Sequence, residues 1–223
     1  DPPGDRLYYP TGLAVSPGGR ALYVVNSNFD LQFNGGTLQS FDLKRVRRDT
    51  VRLINNPGPE CAAGLPPAPG PDGKRPPLGQ ACAPPTPLEA YRQGTDTAVI
   101  GAFASDLVRS TRSGLLVSAG SAEGAPTVTS RNVHRLYALV RGDTSLTYAD
   151  VESDLGADGA TLFDTDPFTL DCGARDRNRC AKDHQAGRDV TEPGNTRDVT
   201  LPGDPYALAE SQDGSLLVVS HQT

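Results

Sequence analysis

Residues 9–30, YPTGLAVSPGGRALYVVNSNFD, place two short apolar runs around a turn, and this pattern decides the fold class. Leu13 and Val15 alternate with small residues, the period of a half-buried strand. Ser16-Pro17-Gly18-Gly19 supplies the turn, because proline presets φ and glycine accepts positive φ. Leu22-Tyr23-Val24-Val25 follows as a buried strand. After Asn34-Gly35-Gly36 a third strand is predicted over Thr37 to Leu43, and a fourth over Thr50 to Ile54. Four short strands joined by turns, with no helical periodicity, predict an antiparallel meander.

The unit returns along the chain. Leu136-Tyr137-Ala138-Leu139 repeats Leu22 to Val25, and Leu146 to Val151 (LTYADV) repeats Leu38 to Leu43 (LQSFDL). Leu107 to Ser110 is the predicted first strand of this second copy. A third copy closes the sequence as residues 204–223, DPYALAESQDGSLLVVSHQT, with Leu208 to Ser211 and Leu216 to Ser220 around Gln212-Asp213-Gly214. A four-stranded sheet cannot bury both faces alone, so units of this size stack radially as propeller blades or linearly as a solenoid. The glycine turn between the first two strands favours the propeller, and the predicted class is all-β.

The segments PTGLAVSPGGRALYVVNSN and DPYALAESQDGSLLVVSHQT resemble YVTN-type β-propeller repeats, in which a strand, an S-P-D-G-like turn and an L-Y-V-x-N strand recur. The resemblance covers residues 9–54, 104–110, 134–151 and 198–223, and Gly18 stands where the turn aspartate is usual. It implies an exported bacterial propeller protein, with lipid attachment upstream of Asp1 an open alternative, and a ring of about seven blades. The expected organisation is blade one over 9–54, a proline-rich insertion over 55–95, blade two over 96–151 with an insertion at 115–133, a cysteine-bearing insertion over 152–198 and a partial blade three over 199–223. A ring needs at least about four blades. The expectation is therefore an N-terminal fragment completed by the remaining blades of a longer chain, with self-association as the alternative.

In a meander blade, first strands start and second strands end on one rim. The expected ligand-binding residues there are Asn26, Asp106, Arg141, Asp204, Tyr206 and His221. The two cysteine-bearing insertions are expected on that rim as connections between blades, and residues 115–133 on the opposite side. Loops held on a rigid scaffold carry function, so the rim is the expected functional face.

Composition narrows the classes. Against 21 basic residues stand 27 acidic ones, a formal net charge of −6, with no basic patch, so a nucleic-acid partner is not expected. No apolar segment approaches the ~20 residues of a membrane span. The four cysteines form two local pairs, Cys61 with Cys82 and Cys172 with Cys180, which points to two disulfides and an oxidising compartment, periplasmic or outer-surface. The first pair lies within the insertion over 55–95, which holds 11 of the chain's 20 prolines, a composition for an extended, stapled surface loop.

Chemistry is sparse. Cys172, Cys180 and His184 offer three zinc ligands, but the seven residues between the cysteines exceed knuckle spacing. Asp164, Asp166 and Asp171 are weak calcium candidates without the glycine and glutamate of an EF-hand loop, and no cofactor is otherwise expected. No G-x-S-x-G elbow or phosphate-binding glycine loop is present. The expected function is extracytoplasmic binding or scaffolding, one face holding a protein, glycan or envelope component. The alternative is a lactonase-like or quinoprotein-like enzyme, which requires rim side chains to converge on an axial metal or cofactor.

Overall fold

A computed structural model of the chain describes residues 1–4, 6–55, 96–119, 128–187 and 199–222. Three antiparallel sheets follow one another along it. Sheet one holds β1 (Pro10–Val15), β2 (Ala21–Asn26), β3 (Gly36–Asp42) and β4 (Thr97–Ile100) in that spatial order. Sheet two holds β5 (Ala104–Ala119), β6 (Val128–Val140), β7 (Ser145–Glu152) and β8 (Gln185–Ala186). Sheet three pairs β9 (Pro205–Glu210) with β10 (Leu217–His221). The architecture is antiparallel β, as the alternating runs predict.

The fourth strand of sheet one is not where the sequence pattern places it. Thr50 to Ile54 belongs to a helix, α1 (Leu43–Asn55), and β4 comes only at Thr97. The Asp42 carboxylate accepts the N–H of Arg45 at 3.0 Å, a side-chain cap that starts the helix. Lysine and arginine then favour helix, while Val46 packs with Leu22, Val24 and Phe41. The apolar run was real, but a cap three residues upstream of Arg45 outcompeted it.

This topology also moves the insertions. Third strands end, and fourth strands begin, at the end of each sheet away from Pro10 and Ala104. Residues 43–96 and 153–184 therefore leave at that far end and join strands within one sheet, rather than linking sheets across the strand-start rim. Residues 115–119 and 128–133, expected as an insertion, continue β5 and β6 as a ribbon beyond a register shift between Arg109 and Ser113.

First strands lie side by side, β1 against β5 and β5 against β9. Gly12 permits the first contact, because a Cβ there would meet the Leu107 nitrogen at 2.6 Å. Tyr23, Leu38 and Ile100 of sheet one and Leu136 and Val140 of sheet two are fully buried in one core between the sheets. Each such side chain contributes about 1.5–3 kcal/mol by leaving water.

Residues 153–184 strap the outer edges of these sheets together. The N–H of Val99 donates to Asn178 and that of Asp150 to Asp171, so the strap runs beside β4 and β7. Tyr23 donates its hydroxyl to Pro167 O at 2.7 Å, and Ser40 donates to Phe168 O at 2.7 Å. Cys172 and Cys180 form a disulfide buried with Leu170 in the inter-sheet core, as the local pairing predicts. Cys61 and Cys82 lie outside the described residues.

Arg175 grips Asp96 through two nitrogens at 2.6 and 3.0 Å. Burial would raise the Asp96 carboxyl, but Arg175 and the N–H groups of Leu170 and Thr97 outweigh it and hold the group below its usual 3.8. A depressed carboxyl contributes stability above its unfolded value and loses it as pH falls through the folded one. Urea midpoints of the wild type should therefore exceed those of Asp96→Asn at neutral pH, and the gap should close below about pH 4. A gap that persists at pH 2 would assign the loss to packing rather than to charge.

The outer faces of the array repeat its inner ones. Leu107, Leu136 and Ala149 form the surface of sheet two that receives sheet one, and by register their counterparts are Leu13, Leu22 and Phe41. These counterparts line an open apolar groove of about 570 Å³. At the other end, Val218 pairs with Ala209 as the buried Tyr23 pairs with Ala14, yet Val218 is 59% exposed and Leu216 65%. Replacing Leu13 or Leu216 by lysine should change the stability of the chain by less than about 0.5 kcal/mol, measured in urea, because both side chains are already exposed.

Candidate binding site at the strand-start rim

All three sheets begin through one local device. The residue before each first strand, Tyr9, Phe103 or Asp204, has positive φ at 54°, 57° and 56°. Its carbonyl accepts the N–H of the residue that follows the second strand, Ser27, Arg141 or Gln222, at 2.9, 3.0 and 3.1 Å. The pairing then slips, so that Thr11, Ser105 and Tyr206 are left as bulge residues. Bulges re-aim side chains. These three, one from each sheet, line a single cavity of about 290 Å³.

The cavity joins part of the expected set. Asp106, Arg141 and Tyr206 line it together with Phe29 and Phe103. Asp204 flanks it, its Oδ1 accepting from Nε and Nη2 of Arg141 at 2.7 and 2.5 Å. The same guanidinium lies 5.6 Å from the centre of the Tyr206 ring, so one cation serves a carboxylate and an aromatic face. Asp106 accepts the N–H of Leu107 with one oxygen and that of Leu208 with the other, each at 2.8 Å, which ties sheet two to sheet three.

Asn26 and His221 are not part of the cavity. The Asn26 side chain is buried, donating to Thr37 and Gln39 at 2.9 and 3.1 Å and accepting from Tyr8 N at 3.0 Å. It anchors the N-terminal segment. His221, at the equivalent position of sheet three, turns its Nδ1 to Gly203 O at 3.2 Å. Asn26 and His221 therefore do not join Asp106, Arg141 and Asp204 at the cavity.

The calcium candidates are likewise separate. Asp166 caps its own turn through Phe168, Thr169 and the Thr169 hydroxyl, and Asp171 accepts from Gly173 N. Among the described residues no group of three His, Cys, Asp or Glu side chains could hold a metal ion. Cys172 and Cys180 are consumed by the disulfide, and His184 stacks on Tyr148 with ring centres 4.6 Å apart. His134 is 7% exposed; burial and the charge of Arg109 push its imidazole below the usual value.

Sequence reasoning missed Phe29, Phe103 and Ser105. Phe103 and Ser105 occupy the repeat positions of Tyr9 and Thr11, so aligning the residues just before each first strand would have found them. Phe29 follows the Ser27-Asn28 exit of β2 and meets Phe103 edge-on at 5.9 Å, a contact between sheets that no local pattern encodes. Among the described residues no helix is long and apolar enough to cross a membrane. In comparisons with known proteins, no family model, no curated protein and no solved structure matches this chain.

Proposed function

We propose that the chain is a binding module built of YVTN-like propeller blades, working outside the cytoplasm and holding a protein, glycan or envelope component at its strand-start rim. The observation that carries this reading is the cavity lined by one bulge residue from each sheet. A bulge at the same position in three successive sheets brings three side chains to one cavity. Radial stacking is supported by the adjacent first strands and by outer faces that repeat the inner ones. In this reading those outer faces are covered by further blades or by self-association. Export is supported by the Cys172–Cys180 disulfide, which an oxidising compartment preserves.

The test is site-specific photo-crosslinking in cells that make the native protein. A benzophenone amino acid at position 29, on the rim, should yield discrete adducts, while one at position 213, in the far-end turn of sheet three, should not. Equal labelling from both positions, or adducts from position 213 alone, would place binding elsewhere. Electron microscopy of the native assembly checks the architecture separately, the expected image being a disc with an axial hole.

A further inference from the structure

We infer that the open faces of sheets one and three are the two halves of one contact, so that sheet three of one copy of the chain packs on sheet one of a second copy. This deepens the stacking proposed above and rests on it, but not on what the strand-start rim binds.

The chain contains the contact twice already. At the first junction β1 and β2 of sheet one lie against β5 of sheet two, and at the second β5 and β6 lie against β9 of sheet three. Each time the first two strands of one sheet cover the first strand of the next. A third contact of this kind needs only two strands on the leading sheet and an open first strand on the receiving one. β9 and β10 supply the leading pair. Leu216 and Val218 stand there where Ala21 and Tyr23 stand in sheet one. Val218 pairs with Ala209 as Tyr23 pairs with Ala14, and the Leu216 carbonyl accepts the Ser211 N–H as the Ala21 carbonyl accepts the Ser16 N–H, both at 2.9 Å. Ala21 and Tyr23 are fully buried in the first junction, whereas Leu216 and Val218 are exposed.

The receiving strand is β1. Leu107, its counterpart in β5, is buried in the inter-sheet core, but Leu13 is exposed. Helix α1 packs through Val46 on Leu22, Val24 and Phe41 of β2 and β3, which leaves β1 uncovered.

Charge selects the pairing of unlike faces. Beside the receiving face, α1 carries Lys44, Arg45, Arg47, Arg48 and Arg52 against the single Asp49. Residues 199–222 carry Asp204, Glu210 and Asp213 and no lysine or arginine. Basic and acidic ends attract, while two receiving faces would repel each other. Both halves belong to one molecule, so a second copy offers each face its complement. Such a head-to-tail contact either closes or polymerises. With three sheets in each copy, two copies make an array of six, within the roughly 4–8 of closed radial arrays.

Sedimentation velocity of the chain at up to about 100 μM tests this. The wild type should run as a pair of copies. Leu13→Lys removes the receiving face and Leu216→Lys the leading one, so each alone should associate at least about tenfold more weakly, with urea midpoints unchanged. Their equimolar mixture should recover a pair, because the leading face of one variant and the receiving face of the other are intact. Val15→Lys and Val218→Lys repeat the test at second positions on the same two faces. A wild type that stays single overturns the inference. So does a variant that pairs as the wild type does, which would mean that a face meets its own kind, and so does a mixture that stays single. Masses that grow without limit overturn the closed pair. Photo-crosslinking at position 29 decides the rim reading independently of all these outcomes.

Discussion

Asp154→Ala should cost the chain about 3–5 kcal/mol in urea denaturation, because a buried carboxylate would disappear from beneath three donors at once. Asp154 is fully buried. Its Oδ2 accepts from the Ser16 hydroxyl at 2.6 Å and the Arg20 N–H at 2.9 Å, and its Oδ1 accepts from the Gly18 N–H at 2.6 Å. Sheet three shows what these bonds replace. There Asp213, within the turn, accepts from the Ser211 hydroxyl at 2.6 Å and the Ser215 N–H at 3.1 Å. Those partners, led by the Ser211 hydroxyl, hold the Asp213 carboxyl well below its usual range. Ser16 and Arg20 are the repeat counterparts of Ser211 and Ser215, and Gly18 that of Asp213. Sheet one has no aspartate in this turn and takes a carboxylate from the strap of sheet two.

The exchange explains why Gly18 must lack a side chain. A Cβ there would intrude on the backbone carbonyl of Asp154. Gly18→Ala should therefore destabilise by about 1–3 kcal/mol alone, as an overpacked contact does. In the Asp154→Ala background it should cost less, since the strap is then free to retreat, and the cycle should give a coupling of at least about 0.5 kcal/mol. Additive effects would mean that the turn and the strap are independent.

Cys172→Ala with Cys180→Ala should lower stability by roughly 2–4 kcal/mol, read as a melting-temperature drop of about 5–15 °C. The bridge closes a short loop, eight residues apart in sequence. Its weight comes from position, since both cysteines are buried in the core shared by sheets one and two. The strap it closes also carries Arg175 to Asp96 and Arg179 to Ile100 O and Asn34 O. A drop no larger than that of the single Leu170→Ala variant would assign the loss to packing rather than to the cross-link.

The rim residues divide by how local their signal is. Arg141, Asp204 and Tyr206 were legible because strand alternation fixes which end of a meander each turn occupies. Asn26 was placed on the right rim but pointed inward, since the choice between rim and core depends on Tyr8, Thr37 and Gln39, which close over it. The positive φ of Tyr9, Phe103 and Asp204 has no marker in residue type, because none is glycine. It is imposed by the hydrogen bond that each carbonyl accepts from the end of the second strand.

Strand periodicity, turn chemistry and the threefold recurrence of Leu-rich pairs were enough to establish an antiparallel β protein, its sheets and the Cys172–Cys180 disulfide. Each is a short-range consequence of residue type, since alternation and turn propensity act over fewer than about ten residues. The fourth strands, the strap and the cavity were settled by packing. β4 is separated from β3 by more than fifty residues, and β8 from β7 by more than thirty. Such pairings form because an open sheet edge and an unfilled inter-sheet core accept whichever distant segment satisfies their hydrogen bonds and fills the space. The same reason hides Asp154, whose role depends on a glycine 136 residues away.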